Sequence, residues 1–231
     1  MRSNYEKAEK KSDIFSEAYA SIINVVISFF TILLILVFPL IYNNSYIDIL
    51  VFKYQFYWGC IVAMLGLCLI LSIIMLVIDV SKIGGKRVKM FFSRLLPKNW
   101  RKIFCAADIS VIIFLIILVI STLQSDYFYE SFWGNEGRYS GLFLLTLYVA
   151  SYFMISRFWG AKAWILDMFL ISGMGVCYVG ITDYFRMDIL NFRYIIAPEH
   201  WDIFTSTIGN INFHTAYIAM ILGVARPVAL P

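Results

Sequence analysis

Charge is what this chain has least of. Asp, Glu, Lys and Arg make up 15% of its 231 residues, against about a quarter in an ordinary soluble domain. Hydrophobic residues reach 61% and aromatic ones 18%, so a water-soluble globule is excluded and a membrane protein is the expected class. Histidine is almost missing, with two residues, and the four cysteines, Cys60, Cys68, Cys105 and Cys177, form no CxxC pair. No His stands at metal-ligand spacing from them, which argues against a zinc module or a disulfide framework and leaves the four as packing residues, with no metal and no cofactor implied. Strict alternation of apolar and polar residues is absent too, which disfavours a closed β-barrel. The first apolar run is too long for a signal-peptide core and is followed by "VFPLIYNNSY", with no small-residue cleavage site. The segment "IGGKRV" lacks the first glycine of a phosphate loop and the Ser or Thr after Lys86. The net charge of +4 implies no nucleic acid, because the basic residues cluster beside apolar spans where anionic lipid headgroups meet them.

What the chain has is long apolar runs. Stretches of about 20 residues match a hydrocarbon layer about 30 Å thick at a rise of about 1.5 Å per helical residue. Helices are expected at 16–42, 55–79, 106–124, 140–157, 163–184 and from 213 to the end, an all-α, multi-pass transmembrane helical bundle of about six helices. Lys and Arg number four before the first helix, eight between the second and third, and two where the fourth turns into the fifth, Arg157 at the end of the fourth and Lys162. On the other side stand Lys53, Arg138, Arg186 and Arg193. The positive-inside rule therefore places a cytoplasmic segment at 1–15 ahead of a transmembrane domain at 16–231, with the N-terminus in the cytoplasm. Within the cytoplasmic linker 81–105, Val88, Phe91, Phe92 and Leu95 recur at helical spacing among basic residues, the pattern of an interfacial amphipathic helix lying on membrane lipids. Pro97 should break it, and Asp108 is placed to cap the third helix. The last helix has fewer than 20 apolar residues before Arg226 and Pro227, which suggests the front portion of a longer membrane protein.

An ionised side chain inside the bilayer is costly unless paired, so chemistry is expected where helices open towards water. In "SDYFYESFWGNEGRYS", Ser125 to Ser140, the rings suit an interfacial aromatic belt. The belt does not account for "GNEGR", where Gly134 and Gly137 bracket a turn that presents Asn135, Glu136 and Arg138. Arg at such a position can clasp a phosphate or carboxylate bidentately, as Lys cannot, although headgroup phosphate would satisfy it too. The long segment from Arg186 to His214 holds both histidines, His200 after Glu199 and His214 after Asn210 and Asn212. Either could serve as general base towards a hydroxyl, with Arg193 holding a charged donor. Asp167 and Asp183 lie near opposite ends of the fifth helix, where snorkelling or pairing is the expected role. "SGMG", Ser172 to Gly175, is a small-residue patch suited to a close helix approach.

The stretch "FWGNEGRYSGLFLLTLYVASYF" resembles the segment that enters the mid-protein helix of bacterial O-antigen ligase and polymerase family membrane proteins, with Gly134 or Gly137, Arg138 and Gly141 as its Gly, Arg, Gly pattern. "STIGNINFHTAYIAM" is similar to the same family's Gly, Asn, x, Asn segment, matched by Gly209, Asn210 and Asn212, with Ile211 where the family usually has Pro. The resemblance covers roughly residues 106–222 and implies a bacterial cytoplasmic-membrane protein that performs an inverting, metal-independent glycosyl transfer on the outer face. The donor would be a saccharide on undecaprenyl diphosphate and the acceptor a glycan, lipid or protein. Arg138, backed by Arg193, would stabilise the leaving diphosphate, and the acceptor hydroxyl would need a base. The family's large outer loop falls beyond residue 231, so the chain as given is expected to be inactive alone. The rival expectations are a transporter or channel subunit, which needs discontinuous helices or buried charge that the sequence does not display, and a structural component without chemistry.

Overall fold

A computed structural model describes residues 2–43, 48–85, 104–160, 162–191 and 196–229. The fold is all-α. Helix α1 (Arg2–Ile32) passes into a π-helical turn over Leu33–Val37, and α2 spans Ile49–Ile83. They are followed by α3 (Ala106–Leu123), the short α4 (Phe128–Trp133), α5 (Leu142–Phe158), α6 (Trp164–Tyr184) and α7 (Ile211–Ala229). Between α6 and α7 lie a 3-10 turn, Pro198–Ile203, and a two-residue antiparallel pair, β1 (Phe204–Thr205) with β2 (Gly209–Asn210).

Among the described residues, four segments are long and apolar enough to cross a membrane: Glu17–Val37, Ile49–Ser81, Ala106–Leu123 and Trp164–Tyr184. Only 11% to 28% of their apolar windows is covered by protein, so most of this hydrocarbon surface faces outward and water is the wrong solvent for it. Leu142–Phe158 and Ile211–Ala225 are shorter apolar helices.

The helix starts show where local chemistry overrode the hydropathy pattern. α1 begins well before residue 16, so the polar stretch assigned to a separate segment at 1–15 is helical from Arg2. α2 begins at Ile49, before the expected 55, and takes Lys53 with it. Lys53 is buried and donates from Nζ to the carbonyls of Phe38 (2.8 Å) and Pro39 (3.1 Å). Those acceptors stand at the end of the first helix, where the negative end of the helix dipole favours a cation. The widening that precedes them, with Phe38 N bonded to Leu33 O at 3.1 Å, fits Pro39, which has no N–H to give and whose ring crowds the carbonyl four residues back. Asp108 does cap α3, from the third helical position: its Oδ2 accepts the Cys105 amide at 2.7 Å. The interfacial helix expected within 86–104 lies almost wholly outside the described residues.

The chain divides into two compact units. The first comprises Met1–Ser28, Ile61–Trp133 and Gly141–Gly160. In it Asp108, buried, also accepts from Tyr152 (3.0 Å) and pairs with Arg157, which ties the start of α3 to the end of α5. Asn24 accepts the Gly160 amide at 3.0 Å. The second unit comprises Phe29–Cys60, Gly134–Ser140 and Ala161–Pro231. Its helices approach closely at the small-residue patch: a Cβ on Gly173 would lie 2.6 Å from Ile221 and one on Gly175 2.8 Å from Leu40. Ile49, fully buried, packs with Leu190, Ile196 and Phe204. Cys68 is buried and Cys60 and Cys177 half-buried, as packing residues should be, but Cys105 is exposed at the N-cap of α3.

Candidate functional site

The turn "GNEGRYS" is built from backbone that few side chains adopt. Gly134 and Gly137 have φ of 86° and 82°, and Tyr139 follows at 48°. The amides of Arg138 and Tyr139 both donate to the Asn135 carbonyl, at 3.1 and 3.0 Å. This curl leaves the side chains of Asn135, Glu136 and Arg138 exposed. Tyr139 anchors it, stacking on Tyr54 of α2 with ring centroids 4.6 Å apart and planes 12° from parallel. No ion pair is formed by Arg138 among the described residues, so its guanidinium fork is available to a planar anion.

The connection between α6 and α7 behaves differently, because its polar groups turn inward. Ser206 is fully buried with φ of 57°, a conformation a non-glycine residue holds only when its surroundings impose it. Two bonds do so: its amide donates to Asp183 Oδ2 at 2.6 Å and its hydroxyl to the Val176 carbonyl at 2.7 Å. Thr207, also buried, donates to the Pro39 carbonyl at 2.7 Å, the same oxygen that Lys53 reaches. A buried polar cluster thus pins the tight turn between β1 and β2 to the end of α6 and to the chain just after α1.

The expected site residues part company here. Arg138 and Glu136 are exposed on their turn. His200 is exposed on the 3-10 turn, next to Trp201, over whose ring the Arg186 guanidinium lies at 5.6 Å. Arg186 also reaches Asp202 at 3.5 Å. Arg193 lies outside the described residues. Asn210 uses its side-chain oxygen to accept the Asn212 amide at 2.9 Å at the entrance of α7, while the Asn212 side chain is exposed. His214 alone is buried, its Nε2 only 2.9 Å from the position a Gly180 Cβ would take, so that a side chain there would clash with the ring, and the Asp183 carboxylate is within electrostatic reach. The described members all belong to the second unit, and no hydrogen bond or ion pair joins the 134–140 turn to either histidine among the described residues. The sequence reading missed Lys53, Ser206 and Thr207. Lys53 could have been noticed as a lone cation inside an apolar run, but nothing in "TSTIGN" announces that Ser206 and Thr207 are buried.

Fold and site together define an all-α, multi-pass membrane protein that carries, in one of its two units, an exposed Glu- and Arg-bearing turn and a buried Lys, Asp, Ser, Thr and His cluster. Comparison with protein-family models, with curated proteins and with solved structures finds no match to this chain.

Proposed function

We propose that this chain belongs to a glycosyltransferase of the O-antigen ligase and polymerase kind, which moves a saccharide from undecaprenyl diphosphate to a glycan, lipid or protein acceptor at the outer face of a bacterial cytoplasmic membrane. The observation that carries this reading is that the two stretches resembling that family, Gly134–Ser140 and the segment around Gly209, Asn210 and Asn212, fall in the same compact unit although about 70 residues separate them. Arg138, exposed and without an ion-pair partner among the described residues, suits the leaving diphosphate, whose charge grows as the glycosidic bond breaks. Glu136 beside it and Asn212 at the entrance of α7 are the polar groups available to sugar hydroxyls. His200, exposed, and Arg193 keep the roles the sequence suggests, base and secondary cation. The N-terminus lies in the cytoplasm in this proposal, because most of the Lys and Arg residues fall on that side.

The test is glycan transfer in cells carrying Arg138→Lys in the native gene. The charge survives and the bidentate fork does not, so transfer should drop by about 10- to 100-fold with insertion unchanged. Unchanged transfer removes Arg138 from the site.

One finding favours a transporter as the second reading. The first helix loosens into a π turn and stops at carbonyls that a buried Lys53 engages, and broken helices with buried charge are what transport sites use. That reading requires a solute flux lost in Lys53→Met and glycan transfer unaffected by Arg138→Lys.

A further inference from the structure

The turn that carries Arg138 is fastened firmly to itself and lightly to everything else. Its two backbone bonds, from the amides of Arg138 and Tyr139 to the Asn135 carbonyl, both close inside the curl. Among the described residues no hydrogen bond or ion pair ties a side chain of 134–140 to a helix. One ring contact does so: Tyr139 stacks on Tyr54 of α2, with centroids 4.6 Å apart and planes 12° from parallel. Tyr54 is half-buried and follows Lys53, whose Nζ ties the start of α2 to the Phe38 and Pro39 carbonyls. The ring beneath Tyr139 therefore stands on an anchored helix turn.

Tyr139 has a backbone that its residue type does not favour. Its φ of 48° is left-handed, a region open to glycine and tolerated by asparagine, where a tyrosine is strained. Such a residue persists only where its surroundings hold it, and among the described residues the Tyr54 ring is the stacking partner it has outside the curl. Arg138 is the preceding residue, so the setting of the stack passes to its guanidinium through one rigid peptide unit. That setting matters, because a bidentate clasp needs two N–H groups aligned with two oxygens at once. We propose that Tyr54 is a positioning residue for Arg138: through Tyr139 it holds the glycine-bracketed turn at the orientation from which the guanidinium meets an anion. This role rests on Arg138 serving the leaving diphosphate, and it adds a residue on α2 that the transfer needs without touching substrate.

The experiment follows amide hydrogen exchange of the peptide covering 134–141 in lipid nanodiscs and glycan transfer in cells, with the same full-chain variants. Tyr54→Leu removes the ring, so Tyr139 relaxes, its amide and that of Arg138 exchange faster, and transfer drops about fivefold, the effect of losing one aromatic pair. Tyr54→Phe keeps the stack and should match the wild type in both readouts. Because Tyr54 acts through Arg138, Tyr54→Leu should lower transfer no further in an Arg138→Lys background; a merely structural loss would multiply there. Tyr139→Gly removes the other ring while relieving the backbone, so transfer should fall with no loss of thermal stability, and this variant decides if Tyr54→Leu fails to insert. Exchange unchanged in Tyr54→Leu, or a loss of transfer that multiplies with Arg138→Lys, overturns the proposal. Transfer lowered by Arg138→Lys and untouched by Tyr54→Leu sinks the role of Tyr54 alone, whereas transfer untouched by Arg138→Lys sinks both that role and the reading of Arg138 on which it rests.

Discussion

Asp183 shows how much one carboxylate can organise. It is 3% exposed near the end of a spanning helix and accepts the amide of Ser206, a residue in left-handed conformation whose hydroxyl is also engaged. Removing the carboxylate strands a buried N–H and releases a backbone that has no reason of its own to stay strained. Asp183→Ala should therefore destabilise the protein by about 2 to 3 kcal/mol, measured as the shift of the unfolding transition in detergent. Asp183→Asn keeps an acceptor oxygen and should cost clearly less. An Asp near a helix end was readable in sequence as a paired interfacial acid. Its partner, 23 residues away, was not, because an amide is present at every position and only the turn between β1 and β2 decides which one arrives.

Helices here are held by small residues and by the polar groups at their ends. Gly173 lets α7 approach α6, since a Cβ would come 2.6 Å from Ile221, whereas Gly66 in α2 has nothing within 4 Å. Gly173→Val should cost about 1 to 3 kcal/mol through overpacking. Gly66→Ala should be neutral or slightly stabilising, because alanine is the better helix former, and thermal unfolding of the pair separates packing from propensity. The "SGMG" patch pointed to such an approach, and the structure supplies its partners, Ile221 and Leu40. Lys53→Met should also destabilise, by about 1 to 3 kcal/mol, because it leaves the Phe38 carbonyl without its lysine donor while Pro39 keeps Thr207. An unfolding transition unchanged in this variant would show that the carbonyls find other partners.

At the scale of the whole molecule, the proposed orientation predicts that a reporter active only in the cytoplasm works when fused after Gly85 and fails when fused after Glu136, with a periplasmic reporter giving the reverse. The class of protein and the approximate spans were decided by the sequence itself, since 61% hydrophobic residues in runs of about 20 can be buried only in lipid, and that constraint acts on each segment separately. The start of α3 was legible for the same reason, because Cys105 and Asp108 are local to it. Only the tertiary structure decided that Lys53 belongs to a helix and grips the end of another, that Ser206 and Thr207 are buried, and that His214 is enclosed while His200 is exposed. The lysine and the buried hydroxyls depend on partners from 14 to 168 positions away. Hydropathy records how a residue partitions between water and oil, not which distant carbonyl or carboxylate will meet it once the chain has packed.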